Sequence, residues 1–365
     1  MPGSHIYVKQ NPNALKGRGT SLNPANRFET ARQEDFDDGW DHQELPETPR
    51  TNLLKDTTRS IITRNDSPDI MFERSINPYR GCEHGCIYCF ARPSHAYLGF
   101  SPGLDFETKI VFKPEAPRLL EKELSRSTYK PDVIVLGSNT DPYQPVERTL
   151  GLTRAILDCL ERFNHPVSIV TKSANILRDR DILSRMSARG LARVHISITT
   201  LNPELARLME PRAASPKRRL STISALAEAG IPVGVLASPM IPGLNDSELE
   251  AILKEAALAG ASSGGTIWLR LPYELGPLFT AWLEQYLPER ASHILSLIRQ
   301  SRDGKLNNAA FHERFKGNGP YAEILMQRFQ NAIKRLGLNA ASTPLDCSQF
   351  HVPGRTPANL QMNLF

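Results

Sequence analysis

The most informative stretch of this chain is Asn77-Pro-Tyr-Arg-Gly-Cys-Glu-His-Gly-Cys-Ile-Tyr-Cys-Phe-Ala-Arg92. Its cysteines, Cys82, Cys86 and Cys89, follow the spacing C-x3-C-x2-C. Three thiolates on one loop can hold three corners of a cubane iron–sulfur cluster, which usually takes four cysteines, so one iron would stay open to a small molecule. Gly81 and Gly85 allow the backbone to wrap closely around such a bulky group.

A structural zinc site is the alternative use of these thiols. It needs a fourth ligand, which His84 or His95 could supply. A disulfide framework is disfavoured by the length of the chain and its odd number of cysteines. Because zinc loops usually carry two pairs of ligands and no second pair is present, the spacing favours the cluster.

The composition is that of an ordinary globular protein. The chain has 365 residues, of which 40% are hydrophobic and 23% charged, and a net charge of +5. A mildly basic body is compatible with a nucleic-acid substrate but is also common among proteins that bind none. There is no apolar run of about 18 residues, so no membrane span is expected. Few cysteines, an oxygen-sensitive cluster and no leader pattern favour the cytoplasm.

Short apolar or β-branched runs alternate with helical patterns from about residue 70 onward. The predicted strands are Phe72–Asn77, Asp132–Leu136, Val167–Thr171, Arg193–Thr199, Val233–Ala237 and Thr266–Leu271. The predicted helices are Ala116–Ser125, Leu150–Phe163, Asp179–Arg189, Ser215–Ala229 and Ser247–Ala259. This alternation predicts a parallel sheet with right-handed crossovers, either open and doubly wound or curved into a barrel.

The composition changes along the chain and suggests four parts. They are an extended N-terminal arm at 1–64, an α/β body at 65–275, a helical cap at 276–340 and a flexible tail at 341–365. Within the arm, the segment Gly17–Phe28 is either a specific contact segment or part of a solvated, flexible chain.

The cysteine stretch resembles the signature of the radical S-adenosylmethionine (SAM) superfamily, including the aromatic Tyr88 before the last cysteine. Together with Cys86-Ile-Tyr-Cys-Phe-Ala-Arg-Pro-Ser-His95 and Ser138-Asn-Thr-Asp-Pro-Tyr-Gln-Pro-Val-Glu147, it is similar to the branch related to spore photoproduct lyase. The resemblance implies a partial (β/α)6 TIM-like barrel with an N-terminal extended arm and a C-terminal helical region. It also implies a [4Fe–4S] cluster, SAM on the open iron, and an electron donor such as flavodoxin or ferredoxin.

Ligands of parallel α/β folds sit at the carboxyl ends of the strands, which directs attention to the loops there. The resemblance implies that SAM is bound after the second strand, in a segment that lacks the usual Gly-Gly-Glu pattern. Lys172, after the third strand, can meet the SAM carboxylate or be a solvated side chain. Ser197 with Thr199 can reach the ribose hydroxyls or pack as ordinary strand residues. Tyr88 is expected beside the adenine, as is the strand-5 segment Ala237–Asp246. The residues of the second loop expected to bind SAM are Gly137, Ser138, Asn139 and Asp141.

Other residues are candidates for further roles. Cys347 or Tyr143 can relay a hydrogen atom, because related lyases use Cys and Tyr for this. Cys159 is expected to be a packed core thiol. The basic stretch 209–220, with Arg219, is expected either to contact a phosphate or to form a solvated helix start.

Three functions are compatible with these features of the sequence. The first is a radical SAM enzyme acting on DNA, as a repair-type lyase or a base-modifying enzyme. The second is a radical SAM enzyme acting on a protein or small molecule. The third is a non-enzymatic binding module that carries zinc or a cluster.

The last five residues, Gln361-Met-Asn-Leu-Phe365, resemble the peptide by which bacterial repair and replication proteins bind the DNA sliding clamp. Leu364 and Phe365 are adjacent apolar anchors that can fill a groove, and Gln361 can hydrogen-bond at its edge. The alternative is that the two apolar residues dock on their own domain. Clamp binding would favour DNA as the substrate.

Overall fold

The structure is a computed structural model that describes residues 15–28, 49–340 and 344–354. Its strands are β1 (Asn52–Lys55), β2 (Ile62–Arg64), β3 (Arg74–Ile76), β4 (Tyr79–Arg80), β5 (Lys109–Phe112), β6 (Ile134–Leu136), β7 (Val167–Thr171), β8 (Ala192–Ser197), β9 (Val233–Met240) and β10 (Ser263–Trp268). Its α-helices are α1 (Asp105–Thr108), α2 (Ala116–Leu124), α3 (Glu147–Leu150), α4 (Leu152–Arg162), α5 (Arg180–Ser187), α6 (Pro203–Met209), α7 (Pro216–Glu228), α8 (Leu249–Leu258), α9 (Leu275–Tyr286), α10 (Pro288–Gln300) and α11 (Gly319–Leu336). Short 3-10 helices lie at Arg92–Leu98, Ala174–Asp179 and Asp246–Glu248.

The main sheet has seven strands in the order β10-β9-β8-β7-β6-β3-β2. Strands β3, β6, β7, β8, β9 and β10 are parallel and adjacent in chain order, with helices between them, and β2 is antiparallel to β3 at one edge. This is the α/β architecture of a partial (β/α)6 barrel, so the predicted fold class is confirmed. The carboxyl ends of six parallel strands consequently share one edge.

Alternation of side chains explains why β7 forms where it was predicted. Val167, Ile169 and Thr171 are buried, whereas Ser168 and Val170 between them are half-buried. β-Branched residues of this kind fit a pleated surface that is packed on both faces.

The helices begin and end at identifiable residues. The Ser215 hydroxyl accepts a hydrogen bond from the Arg218 amide, and Pro216 occupies the first helical position of α7. Gly230, just beyond this helix, has φ +73°, a conformation that glycine adopts without strain. These caps orient α7 against the sheet.

The last strand begins three residues earlier than predicted. Ser263 and the glycines Gly264 and Gly265 pair with β9, although their side chains carry no strand pattern. A Cβ on Gly264 would lie 2.7 Å from Ile333 Cδ1 of α11. Small residues are therefore required where the helix packs on the strand, and tertiary packing overrides local propensity.

A second, three-stranded sheet has the order β1-β5-β4. Both β1 and β2 lie inside the segment predicted as the arm 1–64, and β2 belongs to the main sheet. Residues 52–55 and 62–64 of that segment are thus strands hydrogen-bonded to the body.

The C-terminal helices form two separate contacts. Helices α9 and α10 share a hydrophobic cluster with Cys86, Ile87 and Tyr88 of the cysteine stretch. Helix α11 packs on α8 and contributes Phe329 and Ile333 to the main core. The region predicted as helical at 276–340 is helical, with a break between α10 and α11.

Part of the predicted tail is packed against the body. Phe350 lies against the rings of Tyr129, Phe163 and His165. The Asp346 amide donates to the Gly190 carbonyl. Residues 355–365, which include the proposed clamp-binding peptide, lie outside the described residues.

No helix within the described ranges combines the length and the apolar character needed to span a bilayer.

Candidate active site

The cysteine loop lies beyond the carboxyl end of β3. The Cys82 amide donates to the Phe106 carbonyl at 3.0 Å, and the Ile87 amide donates to the Met209 carbonyl at 3.0 Å. Gly81 has φ +83°, and a Cβ there would lie 2.9 Å from the Phe106 oxygen. Glycine is therefore required at this position for the close approach of the loop to Phe106.

The three cysteines are free thiols in a buried setting, with Cys82 and Cys86 more enclosed than Cys89. Burial raises the pKa of the Cys86 thiol, and the nearby Glu210 carboxylate raises it further. Burial likewise raises the pKa of Cys82 and Cys89. Metal binding would have to displace these protons, because the thiolate is the ligand.

The side chains fit a cluster with three protein ligands better than a closed zinc site. His84 Nδ1 lies 3.3 Å from an Asp141 oxygen, and His95 Nε2 lies 2.9 Å from the Lys109 carbonyl. Each contact uses one ring nitrogen, and His95 Nδ1 is buried without a hydrogen-bond partner among the described residues. Across the described ranges, no three His, Cys, Asp or Glu side chains are placed to hold a single metal ion. A structural zinc site needs four such donors around one ion.

A buried ion pair holds the loop from behind. Arg92 and Glu107 are both fully buried and paired. The Arg92 Nε donates to the Cys86 carbonyl at 2.9 Å, and one Nη donates to the Gly103 carbonyl at 2.9 Å. Arg92 thereby fixes the backbone at the second cysteine. Sequence reasoning missed this pair, because a lone arginine after a cysteine motif carries no signal of burial.

The N-terminal strap, defined here as residues 15–28, contacts the cysteine loop directly. The Arg18 guanidinium donates to the Glu107 carbonyl at 2.8 Å, and the Gly19 amide donates to the Glu107 carboxylate at 2.9 Å. Asn23 exchanges two hydrogen bonds with Asp105. The segment Gly17–Phe28 is therefore a specific contact segment rather than a solvated arm.

Polar side chains gather at the carboxyl ends of β7, β8 and β9. The Lys172 ammonium donates to the Ser197 hydroxyl at 2.6 Å and lies 5.8 Å from the Tyr88 ring centroid. The Thr199 hydroxyl lies 2.9 Å from the Ser238 carbonyl and 3.0 Å from the Tyr88 hydroxyl. The structure therefore brings the predicted residues Tyr88, Lys172 and Ser197 together beside the cysteines.

Glu210 is the centre of this group, and the sequence did not identify it as a site residue. It is buried and contacts the Tyr88 hydroxyl and the Arg219 guanidinium, with Lys172 Nζ 3.9 Å away. Burial alone would raise the pKa of Glu210, but Arg219 and Lys172 outweigh it and lower the pKa to about 2. Glu210 is therefore an ionised carboxylate at neutral pH.

The position of Arg219 differs from what the sequence predicted for the basic stretch 209–220. Its guanidinium is 2% exposed, pairs with Glu210, and donates to the Ser197 carbonyl at 2.9 Å. Neither a solvated helix start nor a free phosphate contact describes it. Lys217 and Arg218, on the other face of α7, are exposed. Helical periodicity separates these neighbours, and only packing shows which of them is buried.

The loop after β6 joins the cysteine loop to the strand ends. Gly137 has φ +93°, and a Cβ there would lie 2.2 Å from the Val170 carbonyl. The Ser138 hydroxyl and the Asn139 amide both bind Asn77, and Thr140 donates to the Gly81 carbonyl at 2.7 Å. The predicted SAM-binding segment thus lies at this edge of the sheet.

Asp141 has a role in holding loops. Its carboxylate accepts hydrogen bonds from the Thr171 hydroxyl at 2.6 Å, the Lys172 amide at 2.8 Å and the Tyr143 amide at 2.9 Å. Burial opposes ionisation, but His84 and these donors lower the pKa of Asp141 to about 2. Its oxygens are largely committed to protein groups.

The two residues proposed to relay a hydrogen atom lie in other surroundings than the predicted SAM-binding residues. Tyr143 is fully buried in the main core and donates to Asp179 at 3.0 Å. Cys347 follows Asp346, which is bonded to Gly190 just before β8, so it lies at the amino ends of the strands. The structure does not bring Cys347 to the cysteine loop, because the sheet separates the two edges. Cys159 is a buried core thiol, as predicted.

A hydroxyl at the end of β9 has no partner among the described residues. Ser238 Oγ is buried and makes no hydrogen bond to the described residues. The Ser238 carbonyl accepts hydrogen bonds from the Ser197 and Thr199 hydroxyls. Ser238 therefore belongs to the polar side chains at the carboxyl ends of β7, β8 and β9, which are called the strand-end group below. A buried polar atom of this kind is usually satisfied by something bound.

Comparison with known proteins agrees with this geometry. The model of the Radical SAM superfamily matches residues 76–256, from the end of β3 into α8, including the cysteine loop and the strand-end group. The chain belongs to the radical SAM superfamily.

Two relatives illustrate how widely similar chains occur. An uncharacterised protein of Mycobacterium tuberculosis is 36% identical over 231 residues, which cover 63% of this chain and 68% of the relative. An uncharacterised protein of Methanocaldococcus jannaschii is 31% identical over 173 residues, which cover 47% of this chain and 62% of the relative.

Among solved structures, spore photoproduct lyase in complex with dinucleoside spore photoproduct aligns with a TM-score of 0.56 at 17% identity, over 78% of this chain and 80% of that one. A mutant of the same lyase with bound AdoMet and the dinucleoside aligns with a TM-score of 0.54 at 17% identity, over the same shares. This likeness shows a shared fold.

Proposed function

We propose that this protein is a radical SAM enzyme that cleaves SAM reductively at a [4Fe–4S] cluster held by Cys82, Cys86 and Cys89. The observation that carries the proposal is the location of these thiols beside the strand-end group formed around Glu210 and Lys172. A cluster with three protein ligands has an open iron next to a site rich in hydroxyl and charged groups.

SAM fits the strand-end group chemically. Lys172 offers a positive charge for its carboxylate, and the Ser197 hydroxyl can accept or donate to a ribose hydroxyl. Gly137, Ser138 and Asn139 line the neighbouring loop, where the amino group would bind. When bound, the cluster supplies the electron that breaks the sulfonium bond of SAM.

The chain's own residues prepare this site. Arg219 compensates the charge of Glu210, so that the carboxylate stays ionised inside the protein. The Glu210 carboxylate in turn accepts a hydrogen bond from the Tyr88 hydroxyl. This contact fixes the Tyr88 ring next to the last cysteine of the loop. Ile87 and Tyr88, in the same hydrophobic cluster as α9 and α10, help exclude water from the thiols.

DNA is the substrate that we favour, for a repair-type lyase or a base modification. A structural neighbour, spore photoproduct lyase complexed with dinucleoside spore photoproduct, shares the fold with this chain. The net charge of +5 is compatible with a polyanion. A protein or small-molecule substrate is the alternative, and the unpaired cation described below favours DNA.

The test is anaerobic reconstitution of the full chain with iron, sulfide, SAM and a reductant. We expect 5′-deoxyadenosine, with more product when damaged DNA is present. Asn139→Ala should retain the brown chromophore but bind SAM more weakly. A chain that assembles the cluster and forms no 5′-deoxyadenosine under any condition would contradict the proposal.

We also propose two protein partners, an electron donor and the DNA sliding clamp. An electron donor such as flavodoxin or ferredoxin would reduce the cluster in the cytoplasm. The sliding clamp would bind Gln361–Phe365, and removing residues 360–365 should abolish clamp binding in a calorimetric titration. Equal clamp binding by the full chain and by the shortened chain would exclude this peptide as the binding site.

A further inference from the structure

A partly buried arginine at the end of β10 has no anionic partner among the residues that the structure describes. Arg270 follows this strand by two residues, and its Nε is buried without a hydrogen bond to the described residues. The guanidinium lies 5.6 Å from the Phe90 ring centroid and 4.8 Å from that of Phe315. Two aromatic faces thus hold a cation, and no carboxylate forms an ion pair with it in the part of the chain described.

Two further arginines lie near Arg270, and their partners differ. Arg302 is buried nearby and donates to the Leu269 and Arg314 carbonyls rather than to a carboxylate. Arg314 pairs with Asp69. Asp303 and Glu313, the other acids near Arg302, accept hydrogen bonds from Asn308 and Asn318. Three carboxylates thus lie near three guanidiniums, but only Arg314 forms an ion pair, and Arg270 stays without a hydrogen-bonded anion in the part of the chain described. An anion bound there would supply the missing partner.

The location connects this cation to the candidate active site. Phe90 directly follows Cys89 and is 48% exposed. Strand β10 is the edge strand beside β9, whose end carries Ser238. A molecule bound at Arg270 would lie next to the cysteine loop, at the open edge of the sheet.

Exposed aromatic rings border the same place. Phe90 is one of them, and Phe311 is 53% exposed and lies 5.0 Å from the Arg314 guanidinium. Exposed aromatic rings beside arginines are the arrangement by which proteins bind single-stranded nucleic acid, because bases stack on the rings and phosphates meet the cations.

We propose that Arg270 binds a phosphate of a single-stranded or locally unpaired nucleic-acid strand, and that Phe90 stacks on a base of that strand beside the active site. The inference rests on the DNA substrate proposed above. It assigns the recognition of the strand to two residues outside the SAM-binding group.

The test is fluorescence anisotropy of a labelled single-stranded oligonucleotide of about twelve residues with the reconstituted full chain, from about 50 to about 200 mM salt. Arg270→Gln should raise Kd about tenfold and reduce the salt slope by about one. Arg118→Gln removes the same charge from an exposed position on α2 and should change neither quantity.

Phe90→Ala provides a second variant if Arg270→Gln does not fold. It should weaken binding about tenfold at every salt concentration while leaving the salt slope unchanged, because stacking releases no counterion. Identical Kd values and slopes for Arg270→Gln and Arg118→Gln would overturn the proposal. So would Arg270-dependent binding of an acidic peptide without binding of the oligonucleotide.

These outcomes are independent of SAM chemistry. Anisotropy measures binding alone, so its failure would leave SAM cleavage standing. Failure of the 5′-deoxyadenosine assay would likewise leave the assignment of Arg270 standing.

Discussion

Gly19 and Gly85 meet so closely that no larger residue fits at position 19. A Cβ on Gly19 would lie 1.8 Å from the Gly85 carbonyl oxygen, well inside van der Waals contact. Gly85 is the residue before the second cysteine of the loop, so the N-terminal strap and the cysteine loop are one packed unit. Glu107 joins the two, since it accepts from both Gly19 and Arg92.

The first prediction concerns this contact. Gly19→Ala should displace the strap and destabilise the chain by about 2–4 kcal/mol, because backbone atoms must move to relieve the overlap. The cluster should bleach several times faster in air. Gly276→Ala is the matched control, since its Cβ would have no neighbour closer than 3.7 Å. Bleaching at the same rate in both variants would show that the strap does not protect the loop.

The second prediction separates cluster cysteines from other cysteines. Cys86→Ala should lose the brown chromophore, bound iron and all SAM cleavage, because a methyl group cannot replace a thiolate ligand. Cys347→Ser, at the amino ends of the strands, should retain all three. Iron and sulfide analysis with an absorption spectrum checks both variants. Full iron content in Cys86→Ala would refute the ligand assignment.

The third prediction concerns Lys172. Lys172→Met should weaken SAM binding about 10- to 100-fold while the cluster spectrum stays unchanged, since a charge-assisted contact to the carboxylate is lost. Lys122→Met, which removes an exposed lysine of α2, should bind SAM normally. Calorimetric titration with SAM under anaerobic conditions measures the difference. Equal affinities would place the carboxylate elsewhere.

The fourth prediction is a pH dependence of stability. Burial lowers the pKa of His165 to about 4, from an ordinary value of 6.5. Between these values the unfolded chain binds more protons than the folded one, so stability should rise with pH from about 4 to 6.5. His165 should contribute about 2–3 kcal/mol of this change.

Urea unfolding of the cluster-free chain at several pH values measures this slope. His165→Phe should flatten it, although loss of the 2.7 Å hydrogen bond to the Tyr129 hydroxyl lowers stability at pH 7. Because His95 and His195 also have pKa values lowered to about 4, part of the slope should remain. If the stability of His165→Phe rose with pH as steeply as that of the unaltered chain, His165 would be excluded as a source of the pH dependence.

Several features could be predicted from the sequence alone. Strand β7 and most helices follow from local periodicity, which depends only on which residues face the core. The cysteine loop follows from three thiols at fixed spacing with two glycines. The alternation of strands and helices predicts a parallel sheet, and the family resemblance, rather than the pattern, implied the barrel order of its strands. Apart from the resemblance, each of these is local information or a general rule of chain connection.

Only the tertiary structure decided the rest. Arg219 and Arg218 are neighbours in sequence, yet Arg219 is buried against Glu210 and Arg218 is exposed. Gly264 belongs to a strand because α11 packs on it, and Cys347 lies far from the cysteines because the tail folds under the sheet. Burial and pairing depend on contacts between residues distant in the chain. The sequence by itself determined the α/β class of the fold and the three thiols that are predicted to hold a cluster, whereas long-range packing decided which charges surround them.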